Sequence, residues 1–284
     1  MRPSKSCNGR PKAHATSEER DMPGKHDTAS NADLTDRQRA IKEQFIRIRN
    51  TWAPQWESIL RQDCEFLLAY LRLSAVPLQH NHLQDKVKEF IYIAINASST
   101  HLFTPGIQMH VSAAVDFGAT RAELMEVLEL ASTVGIHAAN VAMPILLDVL
   151  KEEAAPEAKT AALNDRQVAL KQQLAEQQGY WDPSWEALLT LDPDMFEAYT
   201  NFAAIPQCSK VLDAKTKELV LLALDAAATH LYAPGIRSHI RNARGLGATA
   251  HEIIEVIEIV SVIGIHGALI GAPMVESLFP DALQ

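Results

Sequence analysis

The segment Thr100-His101-Leu102-Phe103-Thr104-Pro105-Gly106-Ile107-Gln108-Met109-His110 occurs twice, returning as Thr229-His230-Leu231-Tyr232-Ala233-Pro234-Gly235-Ile236-Arg237-Ser238-His239. A constant offset of 129 residues relates the two copies. The same offset pairs Trp52 with Trp181, Trp56 with Trp185, Glu89 with Glu218, Gly118 with Gly247, His137 with His266 and Pro144 with Pro273. No gap is needed from Leu34/Leu163 to Pro144/Pro273, which marks a tandem duplication. The copies serve as a two-sequence alignment, and residues kept by both are the first candidates for a role.

The duplication divides the 284 residues into a tail (1–33), a first repeat (34–153), a linker (154–162) and a second repeat (163–284). The tail is rich in Ser, Lys, Arg, Pro, Gly and Asn without apolar periodicity, and is expected to be disordered. What remains is long enough for two real cores. A net charge of −9, from 26 basic and 35 acidic residues, argues against a nucleic-acid partner. The longest apolar runs, Phe90–Ile95 and Leu219–Leu224, are far shorter than a membrane span, and the N-terminus lacks a signal-peptide core. Cys7, Cys64 and Cys208 are odd in number and none recurs, which suggests reduced thiols in a cytoplasmic protein.

Periodicity is helical throughout. Ile41, Phe45 and Ile48 stripe a helix capped by Thr35, and a further helix from about Glu65 is expected to end near Pro77. The stretch from about Gln84 to Thr100 is apolar nearly all round, the pattern of a central buried helix. Glu89, Asn96 and Thr100 interrupt it at spacings that fall within about 20° of whole turns, so they share one line. Glu218, Asp225 and Thr229 repeat that line. Thr104-Pro105-Gly106 starts the next helix, Gly118 ends it, and Thr120 with Glu123 forms a capping box repeated by Thr249 and Glu252. No alternating strand pattern appears. The expected fold is all-α, with two similar helical repeats packed as an internal pseudo-dimer and the whole chain self-associating.

Five polar pairs recur in inward-facing or cleft-like settings: Glu89/Glu218, Thr100/Thr229, His101/His230, His110/His239 and His137/His266. Six of the 11 histidines belong to these pairs. An imidazole and a carboxylate facing one cavity can act as general acid and base, because His titrates near neutrality and burial raises a carboxyl pKa. No His-x3-His or Glu-x2-His spacing lies on one helix, so a metal is not expected. A nucleophile is not expected either, since Arg241 replaces Ser112 and no cysteine repeats. The competing reading gives each histidine a hydrogen-bonding role inside a catalytically silent helical module.

The order Lys88-Glu89, apolar helix, His110, Gly118-Ala119-Thr120-x-x-Glu123, Gly135 resembles the carboxymuconolactone decarboxylase family, of the all-α superfamily that includes alkylhydroperoxidase-D peroxidases. The match spans roughly Lys86–Val149 and again Lys215–Leu278. The thiol branch of that superfamily carries a Cys-x-x-Cys pair where this chain has Phe103 and Gly106, and Tyr232 and Gly235. A disulfide relay needs two sulfurs, which excludes that peroxidase chemistry. The resemblance implies a cofactor-free carboxy-lyase acting on a carboxylated lactone or related small oxo acid. His110 and His239 would be the proton donors and Glu89 and Glu218 their orienting carboxylates. His101, His230, His137, His266, Thr100, Thr229 and Arg237 would bind the substrate. Single-repeat relatives commonly form rings of three dimers, so three of these tandem chains are expected to build a pseudo-hexamer.

Overall fold

The computed structural model describes residues 33–155, 162–178 and 181–279, and no strand occurs among them. The expectations for the tail and for most of the linker fall outside those residues. The first repeat comprises α1 (Asp36–Arg49), α2 (Pro54–Gln62), α3 (Cys64–His80), α4 (Asp85–Ala97), α5 (Thr104–Asp116), α6 (Arg121–Ala131) and α7 (His137–Glu152). The second comprises α8 (Asp165–Gln178), α9 (Glu186–Leu191), α10 (Pro193–Cys208), α11 (Ala214–Ala226), α12 (Ala233–Gly245), α13 (Ala250–Ser261) and α14 (Ile265–Leu278).

α4 and its counterpart α11 lie side by side at the centre, as their all-round apolarity requires. Phe90, Ile91, Ile93, Leu219, Val220 and Leu222 form one core with Val127 and Leu130 of α6 and with Val256 and Ile259 of α13. Two buried ion pairs cross between the repeats inside this core. Lys88 Nζ lies 2.8 Å from Glu255 Oε1, with side chains 3% and 0% exposed. The duplicated pair, Lys217 Nζ to Glu126 Oε1, closes at 2.7 Å.

The remaining packing is exchanged between repeats. Ile265 and Leu269 of α14 join Phe45, Trp56, Leu60 and Leu71 of α1–α3 in a second core. Ile136, at the entry to α7, joins Leu170, Leu188 and Phe196 of α8–α10 in a third. Each repeat therefore completes its partner's N-terminal layer, and the pseudo-dimer is interwoven rather than two closed domains in contact.

Two boundaries differ from the sequence reading. α3 passes through Pro77 to His80 and ends at Asn81 in the left-handed region, φ 52°. The Pro77 carbonyl near this end is met by Lys88 Nζ at 3.2 Å. α4 stops at Ala97, not Thr100, because the chain reverses there: Phe103 N–H donates to Asn96 O at 2.9 Å. The turn holds Leu102 at φ 48° and Leu231 at φ 51°, a conformation a branched residue adopts only under constraint. Thr100 thus lies beyond the helix, and its Oγ1 meets Thr229 Oγ1 at 3.2 Å on the pseudo-twofold axis.

α6 runs through a 3-10 turn into α7, and α13 runs on into α14. The resulting stretches Arg121–Glu152 and Ala250–Leu278 are long and apolar enough to cross a bilayer by length and composition, unlike the short runs noted in sequence. Here one face of each is used for the inter-repeat cores.

Candidate active site

α4 and α5 pack in register along their lengths and bring Glu89 and His110, 21 residues apart, to 2.7 Å between Oε2 and Nδ1. α11 and α12 repeat this between Glu218 Oε2 and His239 Nδ1, also 2.7 Å. A carboxylate acceptor at Nδ1 favours a proton on that nitrogen and turns Nε2 to the other side of the ring. Gly106 and Gly235 permit the close approach of the two helices. A Cβ on Gly106 would sit 2.5 Å from Asn96 Oδ1, and one on Gly235 would sit 1.8 Å from Asp225 Oδ2.

The exchanged helices supply the other half of each site. His266, at the start of α14, reaches back so that His101 Nε2 and His266 Nδ1 lie 2.8 Å apart. Phe103 stacks on the His266 ring at 4.0 Å. In the second repeat His137 Nδ1 meets His230 Nε2 at 2.7 Å, and Tyr232 stacks on His137 at 3.9 Å. Each site is composite, with one histidine of every imidazole pair donated by the other repeat.

Around His110 lies a cavity of about 410 Å³ lined by Arg49, Trp56, Tyr70, Tyr92, His110 and His266 among others. Tyr92 stacks flat on His110, centroids 4.3 Å apart and planes 7° apart. Burial drives the His266 pKa down to about 3, with further push from His101, His110 and Arg49, so this imidazole is neutral at physiological pH. His101 is also held down by burial, and burial pushes the Tyr92 phenol up. The Arg49 Nε is buried and has no hydrogen-bond partner in the protein. A guanidinium with a spare buried donor, beside a cavity, is a ready carboxylate receptor.

The two sites are not copies. Leu221 stands for Tyr92, Gln178 for Arg49 and Asp225 for Asn96. Asn96 Nδ2 donates to Tyr92 O at 2.8 Å, a backbone contact available to an amide but not to a carboxylate. Burial raises the Asp225 pKa to about 7, partly offset by His239, whose Nε2 is 3.5 Å from Oδ2. His137 is driven down to about 3, first by burial and then by His230 and His239. The approach of His137 to Asp225 at 3.4 Å is therefore not an ion pair at neutral pH.

The structure thus gathers Glu89, His110 and His266 at one site and Glu218, His239, His137 and His230 at the other. His101 stands behind His266 and hydrogen-bonds to it. Thr100 and Thr229 are exposed and bond to each other on the axis, and Arg237 is exposed on α12. Thr120 and Thr249 with Glu123 and Glu252 make the expected capping boxes, and those glutamates also bind Lys86 and Lys215 at 2.8 Å. Sequence reasoning passed over Arg49 and Tyr92, because a filter based on duplication discards residues that only one copy keeps.

Fold and site together define a tandem all-α protein with one carboxylate-oriented imidazole per repeat. The model of the carboxymuconolactone decarboxylase family matches residues 65–148 and 193–269, more than half of the chain, and the chain belongs to that family. The crystal structure of a protein from Burkholderia xenovorans LB400, assigned as a gamma-carboxymuconolactone decarboxylase subunit, superposes with a TM-score of 0.80 at 47% identity. That match covers 86% of this chain and 97% of the other. A comparison with curated proteins gives no match.

Proposed function

We propose that the first-repeat cavity decarboxylates a carboxylated lactone or related small oxo acid without a cofactor, with His110 as proton donor. One observation carries the reading: a carboxylate-oriented imidazole, a guanidinium with a spare donor and a neutral imidazole all face one cavity. The Burkholderia relative's assignment to a gamma-carboxymuconolactone decarboxylase subunit supports the same class. A silent helical module would instead be expected to fill its core at His110.

In this reading Arg49 binds a substrate carboxylate. The bond to the departing carboxyl breaks, carbon dioxide leaves, and the electron pair passes into the adjacent unsaturated carbonyl as a dienolate. His266, accepting from His101 at Nδ1, carries its proton on Nε2 and donates to the dienolate oxygen. His110 delivers the Nε2 proton to carbon, Glu89 stabilises the imidazolium beforehand, and solvent restores the proton afterwards. The functional unit we propose is a homo-oligomer of three tandem chains.

The test is carbon dioxide release from a panel of lactone carboxylates and oxo acids, with Arg49→Gln and His110→Gln as controls. Release that either variant abolishes supports the reading. Release that persists undiminished in His110→Gln rejects His110 as donor, and no release across the panel rejects the reaction class.

A further inference from the structure

We infer that the second-repeat site binds a divalent first-row transition ion, such as zinc, through His137 Nδ1, His230 Nε2 and Asp225 Oδ1. The three ligands come from α7, from the turn after α11 and from α11 itself, so no short sequence motif announces them. Among the described residues they form a group of two imidazoles and a carboxylate whose donor atoms all lie within 4.8 Å of one another. The separations are 2.7 Å between His137 and His230, 3.4 Å between His137 and Asp225, and 3.9 Å between His230 and Asp225. Three points so spaced lie on a circle of about 2.0 Å radius, so an ion at zinc bond lengths would sit in their plane, and tetrahedral zinc requires the donors to shift to separations of about 3.3 Å.

The surroundings have the character of a held ligand set. Asp225 is 2% exposed. Its second oxygen, Oδ2, has no hydrogen-bond partner within the protein and lies 3.5 Å from His239 Nε2, and a carboxylate so buried is costly unless a cation or a proton compensates it. The face of Tyr232 fixes the ring of His137. His230 sits in the turn constrained by Leu231 at φ 51°. Two neutral imidazoles and one carboxylate form a ligand set suited to zinc and its first-row neighbours.

The first repeat provides an internal control. His101 and His266 take the same arrangement at 2.8 Å, but Asn96 replaces the carboxylate, gives its Nδ2 to Tyr92 O and leaves a neutral, buried Oδ1 without a partner. A neutral amide turned to the backbone is a far weaker ligand, so one ion per chain is expected rather than two. The inference does not depend on the decarboxylase reading, which concerns the other cavity.

The experiment uses the full chain, stripped with chelator, dialysed and titrated with Zn²⁺ by calorimetry, with bound metal measured after desalting. Co²⁺ substitution supplies an absorption spectrum that reports imidazole and carboxylate ligation. The expected result is one ion per chain, lost in Asp225→Asn with binding weaker by at least about 100-fold. Asn96→Asp is expected to gain a second ion, and this gain is readable even if Asp225→Asn folds poorly. Wild-type protein that takes up no Zn²⁺ would overturn the inference. So would Asp225→Asn binding as wild type does, which would place the ion on other imidazoles such as His80, His82 and His251.

Discussion

His101 Nε2 lies 2.8 Å from His266 Nδ1 across 165 residues of sequence, joining a turn of the first repeat to the last helix of the second. The contact exists only because the repeats exchange α7 and α14. An isolated first repeat would keep Glu89 and His110 but lose His266 and the α14 wall of the cavity. Duplication within one chain therefore does more than raise the local concentration of two equal modules, since each module finishes the other's site.

The half-buried His266 makes the fold acid-sensitive. In the folded chain its pKa is pushed down to about 3, whereas an unfolded imidazole titrates near 6.5. Below pH 6.5 the unfolded chain takes up a proton that the folded chain refuses, so stability is complete above that pH and falls as pH drops toward 3. At pH 5 this site alone removes at most about 2 kcal/mol, and about 1 kcal/mol once solvent screening of a partly exposed ring is allowed for. Melting curves at pH 7.5 and pH 5 should show a smaller acid shift for His266→Gln than for wild type. Parallel shifts would remove His266 from the acid response.

Lys88 and Glu255 test the inter-repeat core. Lys88→Met leaves Glu255 buried without its cation, which is expected to cost about 3–5 kcal/mol. Glu255 also accepts the backbone N–H groups of His82 and Leu83 at 2.8 and 2.9 Å. The double variant Lys88→Met/Glu255→Gln removes both charges, keeps an acceptor for those donors, and should recover most of the loss. Equilibrium denaturation of the two variants decides this, and additive losses would show that the pair is not coupled.

Gly235 and Gly106 occupy equivalent positions with unequal clearance. A methyl group on Gly235 meets the Asp225 carboxylate at 1.8 Å, and one on Gly106 meets the Asn96 amide at 2.5 Å. Both side chains are buried and short, so relief requires α11 and α12, or α4 and α5, to part. Gly235→Ala should lower stability by about 1–3 kcal/mol and Gly106→Ala by less. Thermal melts of the two variants compare them directly, and the reverse order would contradict the packing described for Asp225.

Much of this molecule could be read from the chain itself. The central position of α4 and α11 followed from helices apolar nearly all round, and the candidate histidines from their recurrence in both copies. The exchange of α7 and α14 was not legible, because residues such as Ile265 and Leu269 look equally apolar whichever core they enter. Asn96 and Asp225 were visible as polar interruptions, yet their difference gains meaning only once His137 and His230 are seen beside Asp225. Arg49 lies in the last turn of α1, an ordinary place for a helix cation. Only the fold turns it toward a cavity.

The outer faces of the exchanged helices remain apolar. Val141, Ile145 and Val149 on α7, and Ile270, Met274 and Leu278 on α14, are each at least 42% exposed. We propose that these stripes meet in an assembly of three chains, whose six repeats would close a ring. Light scattering should give about three times the 31.3 kDa chain mass. Ile145→Glu with Met274→Glu should yield single chains that keep their helical content. A wild-type mass near 31.3 kDa at micromolar concentration would refute the assembly.

Glu89 and Glu218 allow the two sites to be tested separately. Both hold an imidazole Nδ1 at 2.7 Å, but only His110 opens on the cavity that contains Arg49. Glutamine is nearly isosteric and can still meet Nδ1, so the fold should tolerate it with a melting temperature close to wild type. What it removes is the charge that stabilises the imidazolium, and kcat should fall by about 10–100-fold in Glu89→Gln with KM little changed. Glu218→Gln should leave decarboxylation at the wild-type rate, because its histidine faces Asp225 rather than the Arg49 cavity. Equal losses in the two variants would mean that both repeats turn over. Full activity in Glu89→Gln would take the carboxylate out of the reaction and leave His110 to supply the proton alone.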